Sequence, residues 1–372
     1  SSAASDVYKR QNVSAEEPRF YIPESPPIAA KSYILMDHNS GKILASENEN
    51  ERRAPASLTK IMTSYVVFKR LKEEFISLDD EVKISEKAWK TGGSRSFIEV
   101  GKMIRLEDLL KGMIIQSGND ASVALAEHVA GSEGTFVLFM NDYAQEIGMT
   151  NTRFENSSGL PHKDQYTTAK DMALLSSVLI KEFPDFYEWY GLKEFTYNNI
   201  KQINRNKLLF TDSTVDGLKT GWTEKAGYCL ATSANRVGMR LISVVLGSQS
   251  PAIRTAETEK LLDYGFRFFE TQSVNDISHQ VPVFKSKKGN LKVGVADSSF
   301  LTLPRNQFKY TTQTIELAGD LIAPISQGDR VGTLAISFNN EDIATLPLIA
   351  LEDAEEAGFV SKMIDTVKLM FR

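Results

Sequence analysis

Several things are scarce in this sequence, and each shortage removes a class of function. Cys229 is the one cysteine in 372 residues, so no disulfide within the chain and no thiolate zinc site can form. The compartment stays open, because many exported proteins also lack disulfides. The four histidines, His38, His128, His162 and His279, include no HExxH pair or other close ligand spacing. His128 lies in the helical stretch ALAEHVA and reads as structural. There is no GxSxG elbow, no Walker loop and no GxGxxG. If the chain is an enzyme, it is expected to work without a metal, nucleotide or other cofactor. Positive charge is not in excess: 43 Lys and Arg stand against 48 Asp and Glu, a net charge of −5. Nucleic acid is therefore not the expected partner, since phosphate binding needs a concentrated basic surface. No apolar run reaches about 18 residues, so nothing is expected to span a bilayer. No signal peptide is visible; the opening SSAASDVYKRQ fits a chain whose export signal has been removed, or a cloning remnant. Internal repeats and low-complexity segments are also missing.

What is present is enough apolar residue, 42%, beside 24% charged, for a large core. The length favours two domains, or one with an appendage. Residues 1–28 are polar and Pro-rich and read as a loosely held lead-in. SYILMDHNSGKILASEN reads as two strands around Asn39-Ser40-Gly41. From Ser57 to about Phe183 the pattern is mainly helical, with apolar residues at i, i+3, i+4 and i+7 in RLEDLLKGMIIQ, DASVALAEHVA, EGTFVLFMNDYAQEIGM and TTAKDMALLSSVLIKEF. Ser132 and Asp171 lie near helix starts. Strands return in GLKTG, AGYCLATSAN and RLISVVLGS, the last two bracketing Arg236-Val237-Gly238, a hairpin signal. PAIRTAETEKLLDYGFRFFE is helical again. Strands flanked by helices on both sides predict an α+β domain over residues 29–270 with a mostly antiparallel sheet.

Beyond about residue 270 helical periodicity vanishes. QVPVF, KVGVA, FLTLP, TTQTIEL, DRVGTLAISF and IATLPLIAL alternate with turns, predicting a small all-β domain over 271–352. The tail, 353–372, is helical. Phe359, Val360, Met363, Ile364, Val367, Met370 and Phe371 share one face; Ser361, Lys362, Asp365, Thr366 and Lys368 share the other. A helix packed on its own domain would show this pattern. So would an interfacial membrane helix, which the terminal position after EDAEE favours.

Three short elements carry chemistry. In PASLTK, Ser57 stands three residues before Lys60. Residues i and i+3 share a helix face, so the amine can reach the hydroxyl. Unpaired N–H groups and the positive dipole end at a helix start would stabilise an oxyanion there. A neutral Lys60 could act as base if burial and a second cation lower its pKa. The competing reading is a capping serine and an exposed lysine; the apolar surroundings LTKIMTSYVVF weigh against it. QSGNDA offers Ser117 and Asn119 between two predicted helices. Ser-x-Asn also occurs at Ser46, Ser233, Ser273 and Ser337, but only Ser117 lies in a loop joining two apolar helices. Lys219-Thr220-Gly221 opens a strand, where Lys219 could supply the second cation and Gly221 a close approach for substrate. A second Lys-Thr-Gly, Lys90-Thr91-Gly92, is followed by no strand pattern and is set aside.

Ser-x-x-Lys, Ser-x-Asn and Lys-Thr-Gly in this order resemble the active-site signature of penicillin-binding proteins and serine β-lactamases. PASLTK, QSGNDA, SSGL, the NRN at Asn204–Asn206, VDGLKTG, KAGY and LLDYGFRFFE extend the likeness to the low-molecular-mass D-Ala-D-Ala carboxypeptidases of the penicillin-binding protein 5 type, over nearly all of Tyr33 to Arg372. The resemblance implies a transpeptidase-like fold and attack by Ser57 on the peptide bond between the two D-alanines ending a peptidoglycan stem peptide. Lys60 takes the proton, and the Ser57 and Trp222 N–H groups form the oxyanion hole. Ser117 relays a proton to the leaving amine, and Asn119 orients Lys60 and the substrate amide. Lys219 and Thr220, with Arg254 or Arg205, bind the terminal carboxylate. It further implies acylation by β-lactams, a role in the cell wall and cell shape, and a periplasmic protein attached peripherally to the outer face of the inner membrane. Trp222 departs from the pattern, which has a smaller or polar residue such as histidine after Lys-Thr-Gly. Two alternatives remain: a serine β-lactamase, for which Glu155 is the only nearby deacylating glutamate and in an unpromising context, and a non-catalytic peptidoglycan-binding scaffold.

Overall fold

The computed structural model describes residues 22–274, 277–295, 299–338 and 341–370. Most of the expected lead-in, 1–28, lies outside them. The chain divides into two compact units, residues 24–274 with 299–302, and 277–295 with 303–370.

The first unit is built on a five-stranded antiparallel sheet in the spatial order Ile43–Glu47, Ser32–Asp37, Met239–Ser248, Gly227–Arg236, Val215–Thr223. The N-terminal hairpin pairs with a strand about two hundred residues later, Ile34 facing Val244. Both faces of the sheet are covered. Ile34, Ile242, Val244 and Leu246 point into one core with the helices Thr59–Lys72, Asn119–Ala130 and Ala169–Glu182. Tyr33, Leu35, Leu241 and Val245 point into a second core under the helix Pro251–Phe268. Alternating side chains thus reach opposite cores, so the strands read as unbroken apolar runs. The expected α+β architecture is present.

Local signals account for many boundaries. Ser132 caps the helix Glu133–Ile147, accepting from the Thr135 N–H at 3.1 Å. Near Asp171 the cap is Thr168, which accepts the Asp171 N–H at 3.0 Å. The hairpin between Gly227–Arg236 and Met239–Ser248 turns at Val237 (φ 51°) and Gly238 (φ 82°). Two positive φ values in succession match the twist of the flanking strands. The mainly helical stretch is interrupted by a short ribbon of Glu81–Lys83 with Met103–Arg105. A second ribbon, Glu194–Tyr197 with Ile200–Ile203, precedes the Asn204–Asn206 segment.

The second unit holds a five-stranded antiparallel sheet, ordered Ser278–Pro282, Asn290–Val295, Glu341–Ala350, Arg330–Phe338, Thr312–Leu317. FLTLP behaves differently: Phe300–Pro304 pairs with Phe269–Ser273 in a separate two-stranded ribbon. The helix Phe359–Met370 buries none of its residues. Phe359, Val360, Met363, Ile364, Val367 and Met370 are all more than half exposed. Its polar side is the docked one: Asp365 accepts the Lys285 N–H at 2.7 Å. Packing of the apolar face onto its own unit is therefore ruled out. No helix among the described residues is long and apolar enough to cross a membrane.

Candidate active site

Ser57 lies in a tight 3-10 turn, Ala56–Leu58, that runs straight into the helix Thr59–Lys72. Neither segment has a side-chain cap, so the capping reading of Ser57 fails. Two glycines make room for this turn. At Gly221, on the edge strand Val215–Thr223, a Cβ would stand 3.1 Å from the Ser57 nitrogen. At Gly159 (φ +84°) it would stand 1.8 Å from the Ala56 carbonyl oxygen. The serine is gripped between the 157–160 loop and the edge strand.

Lys60 is fully buried, one turn along the helix. Its Nζ lies 3.2 Å from Ser57 Oγ, 2.7 Å from Asn119 Oδ1 and 2.6 Å from the Ser158 carbonyl oxygen. Nζ donates to all three; when the amine is neutral, two N–H groups still serve the two carbonyl oxygens and the lone pair is left for the hydroxyl proton. Burial, and next the Arg205 cation, lower its pKa to about 7, against an opposing pull from Asp120. Lys219, buried as well, is held well below the ordinary lysine range by burial and then by Lys60, Arg205 and Arg254.

Ser117 and Asn119 are presented by an unusual backbone. A π-type turn over Gly112–Gln116 ends on Ser117 in the left-handed region, φ 68°. Such turns are frequent at functional sites. Ser117 Oγ is buried and has no hydrogen-bond partner among the described residues, yet it lines the cleft. Asn119 donates to the Gly92 carbonyl at 2.7 Å while it accepts from Lys60. The rejected Lys-Thr-Gly at 90–92 therefore supports the site: Gly92 holds Asn119, while Lys90 pairs with Glu86 at its exposed end. Asp120, fully buried, accepts the Ser96 N–H at 2.8 Å and fixes the same loop.

These groups meet in a cleft of about 310 Å³. Ser57, Ser117, Thr220, Trp222, Arg205 and Arg254 all contribute to its lining. Arg254 is buried and donates to the Gly221 and Cys229 carbonyls at 3.3 Å; Arg205 is exposed to solvent. The Trp222 ring is 56% exposed and lies 5.8 Å from the Tyr228 ring. All ten residues singled out from the sequence as catalytic or substrate-binding fall in or beside one site. Ser158, Asp120, Ser94 and Tyr228 were missed as individuals, although SSGL, QSGNDA and KAGY contained three of them.

Metal-ligating potential is small. Glu155, His162 and Asp164 bring donor atoms within 4.8 Å of one another on an exposed loop. Glu155 pairs with Arg153 at 2.5 Å and is not among the residues lining the cleft.

Comparison with known proteins identifies the family. Residues 20–250 match the family described as D-alanyl-D-alanine carboxypeptidase, and residues 266–356 match the penicillin-binding protein 5 C-terminal domain. The chain is 45% identical to D-alanyl-D-alanine carboxypeptidase DacC of Escherichia coli over 94% of this chain and 90% of that protein. It is 41% identical to DacA of Haemophilus influenzae, covering 97% and 95% respectively. Among solved structures, penicillin binding protein 5 from Haemophilus influenzae is similar with a TM-score of 0.85 at 40% identity, over 90% of this chain and all of that one. The chain belongs to the D-alanyl-D-alanine carboxypeptidase family, with the penicillin-binding protein 5 C-terminal domain attached.

Proposed function

We propose that this serine DD-carboxypeptidase removes the terminal D-alanine from peptidoglycan stem peptides through an acyl-enzyme on Ser57. The reading rests on one observation above the others: a buried amine 3.2 Å from the serine hydroxyl, with a pKa brought to about 7. An ordinary lysine would be almost wholly protonated at neutral pH. Lys60 takes the hydroxyl proton as Ser57 attacks. The Ser57 and Trp222 N–H groups receive the oxyanion, worth about 10²–10³ in rate per donor. Ser117, whose hydroxyl is uncommitted, passes a proton to the leaving amine. Asn119 fixes Lys60 and the substrate amide. Lys219, Thr220, Arg254 and Arg205 attract the terminal carboxylate. The same cleft is acylated by β-lactams. Release of D-alanine from diacetyl-L-Lys-D-Ala-D-Ala by the wild type, and its loss in Ser57→Ala, tests the reading; equal release by both proteins contradicts it.

The outward apolar face of Phe359–Met370, with its polar side docked through Asp365, supports peripheral attachment to a membrane surface. An enzyme acting on stem peptides would then work in the periplasm at the outer face of the inner membrane. Co-sedimentation with liposomes should be lost on deleting residues 353–372; equal pelleting of both forms would contradict it.

A further inference from the structure

The Trp222 side chain is not needed for the chemistry above, which uses only its backbone N–H. Thr220 and Trp222 are two apart on one strand, so their side chains share a face, and both line the cleft. Trp222 therefore borders the part of the cleft that Thr220, proposed above to attract the terminal carboxylate, also lines. The Tyr228 ring lies 5.8 Å from Trp222, and the Arg254 guanidinium sits 5.9 Å over the Tyr228 ring. Arg254, Tyr228 and Trp222 form one column of contacts, its two rings tilted by 33°, from the buried Arg254 to the exposed indole. Pro251 continues the apolar side of this lining. The methyl group of a terminal D-alanine is far too small to cover an indole left 56% exposed. An exposed indole that lines a cleft offers apolar surface to a bound ligand.

We propose that Trp222 and Tyr228 are specificity-determining residues for the leaving amino acid, and that the enzyme takes stem peptides whose terminal D-residue carries a large apolar or aromatic side chain. This rests on the carboxypeptidase reading and extends it to a substrate class. The column holds the carboxylate at its Arg254 end and receives the leaving side chain against the Trp222 ring. No additional chemical step is required: the same acyl bond forms, and the bulkier D-amino acid departs with the proton.

The test compares kcat/KM for diacetyl-L-Lys-D-Ala-D-Ala and diacetyl-L-Lys-D-Ala-D-Phe in the full chain. The wild type should cleave the D-Phe peptide at least as efficiently as the D-Ala peptide. In Trp222→Ala the D-Phe to D-Ala ratio should fall about three- to tenfold, the size expected of one aromatic pair, and Trp222→Phe should restore most of it. The ratio cancels any loss common to both substrates. A wild type that cleaves the D-Phe peptide less efficiently than the D-Ala peptide overturns the inference, whatever the variants do. An unchanged ratio in Trp222→Ala also overturns it. Failure on both peptides by the wild type would instead refute the carboxypeptidase reading.

Discussion

Lowering the pH from 8 to 5 should slow acylation of this protein in a way that reports Lys60 directly. The amine works as a base only when neutral. With a pKa of about 7, its neutral fraction is about nine-tenths at pH 8 and about one-hundredth at pH 5, a fall of roughly 90-fold. Because the folded pKa is depressed, the active form gains as pH rises and levels off above about 8. Were Lys60 an ordinary lysine, about one molecule in 2,500 would be neutral at pH 7, and the rate would keep climbing tenfold per pH unit toward pH 10. The two cases differ by about 1,000-fold at pH 7. The assay is the second-order rate of acylation by benzylpenicillin, followed by intact mass or stopped flow between pH 5 and 10. Benzylpenicillin does not change charge in this interval, so the bend belongs to the enzyme. Two variants fix its assignment. Arg205 lowers the Lys60 pKa and Asp120 raises it. Arg205→Gln should therefore move the bend to higher pH and Asp120→Asn to lower pH. A rate with no bend below pH 9, or shifts in the same direction in both variants, would refute the role given to Lys60.

Two further outcomes follow from the backbone. Val237 is a fully exposed β-branched residue at φ 51° in a tight hairpin, a conformation costing about 1–2 kcal/mol. Val237→Asn should raise stability by about 1 kcal/mol, read as a higher urea midpoint with unchanged slope; no gain would contradict the turn argument. Gly159→Ala would place a Cβ 1.8 Å from the Ala56 carbonyl oxygen at φ +84°. It should cost about 2 kcal/mol or more and slow acylation as the Ala56–Leu58 turn is pushed away. Wild-type melting and acylation together would show that the loop does not hold the nucleophile.

Much of this molecule was legible because its signals are local. The Val237-Gly238 turn and the cap at Ser132 are set by neighbouring residues, and near Asp171 the cap falls three residues earlier, on Thr168. The three motifs were legible because each is a short string, and their order limited the readings. What could not be read is what arises only on folding. The pairing of Ile34 with Val244 leaves no local trace. The left-handed Ser117 follows from a π-type turn that looks like ordinary helix in sequence. The Ser158 carbonyl is a backbone atom, and no residue type announces that it will meet Lys60. FLTLP has the composition of the other C-terminal strands, yet it pairs with Phe269–Ser273. Arg205 joins Lys219 as a cation opposing charge on Lys60, and spacing along the chain does not announce it.

The central claim is that Ser57, activated by Lys60, forms the acyl-enzyme. Intact mass after incubation with benzylpenicillin, for the wild type and Ser57→Ala over several hours, tests it most directly. The account predicts a wild-type mass increased by one benzylpenicillin, persisting over that time, and no adduct on Ser57→Ala. An adduct of equal yield on Ser57→Ala, or none on the wild type, would contradict it; a wild-type adduct that cleared within seconds would point to a β-lactamase.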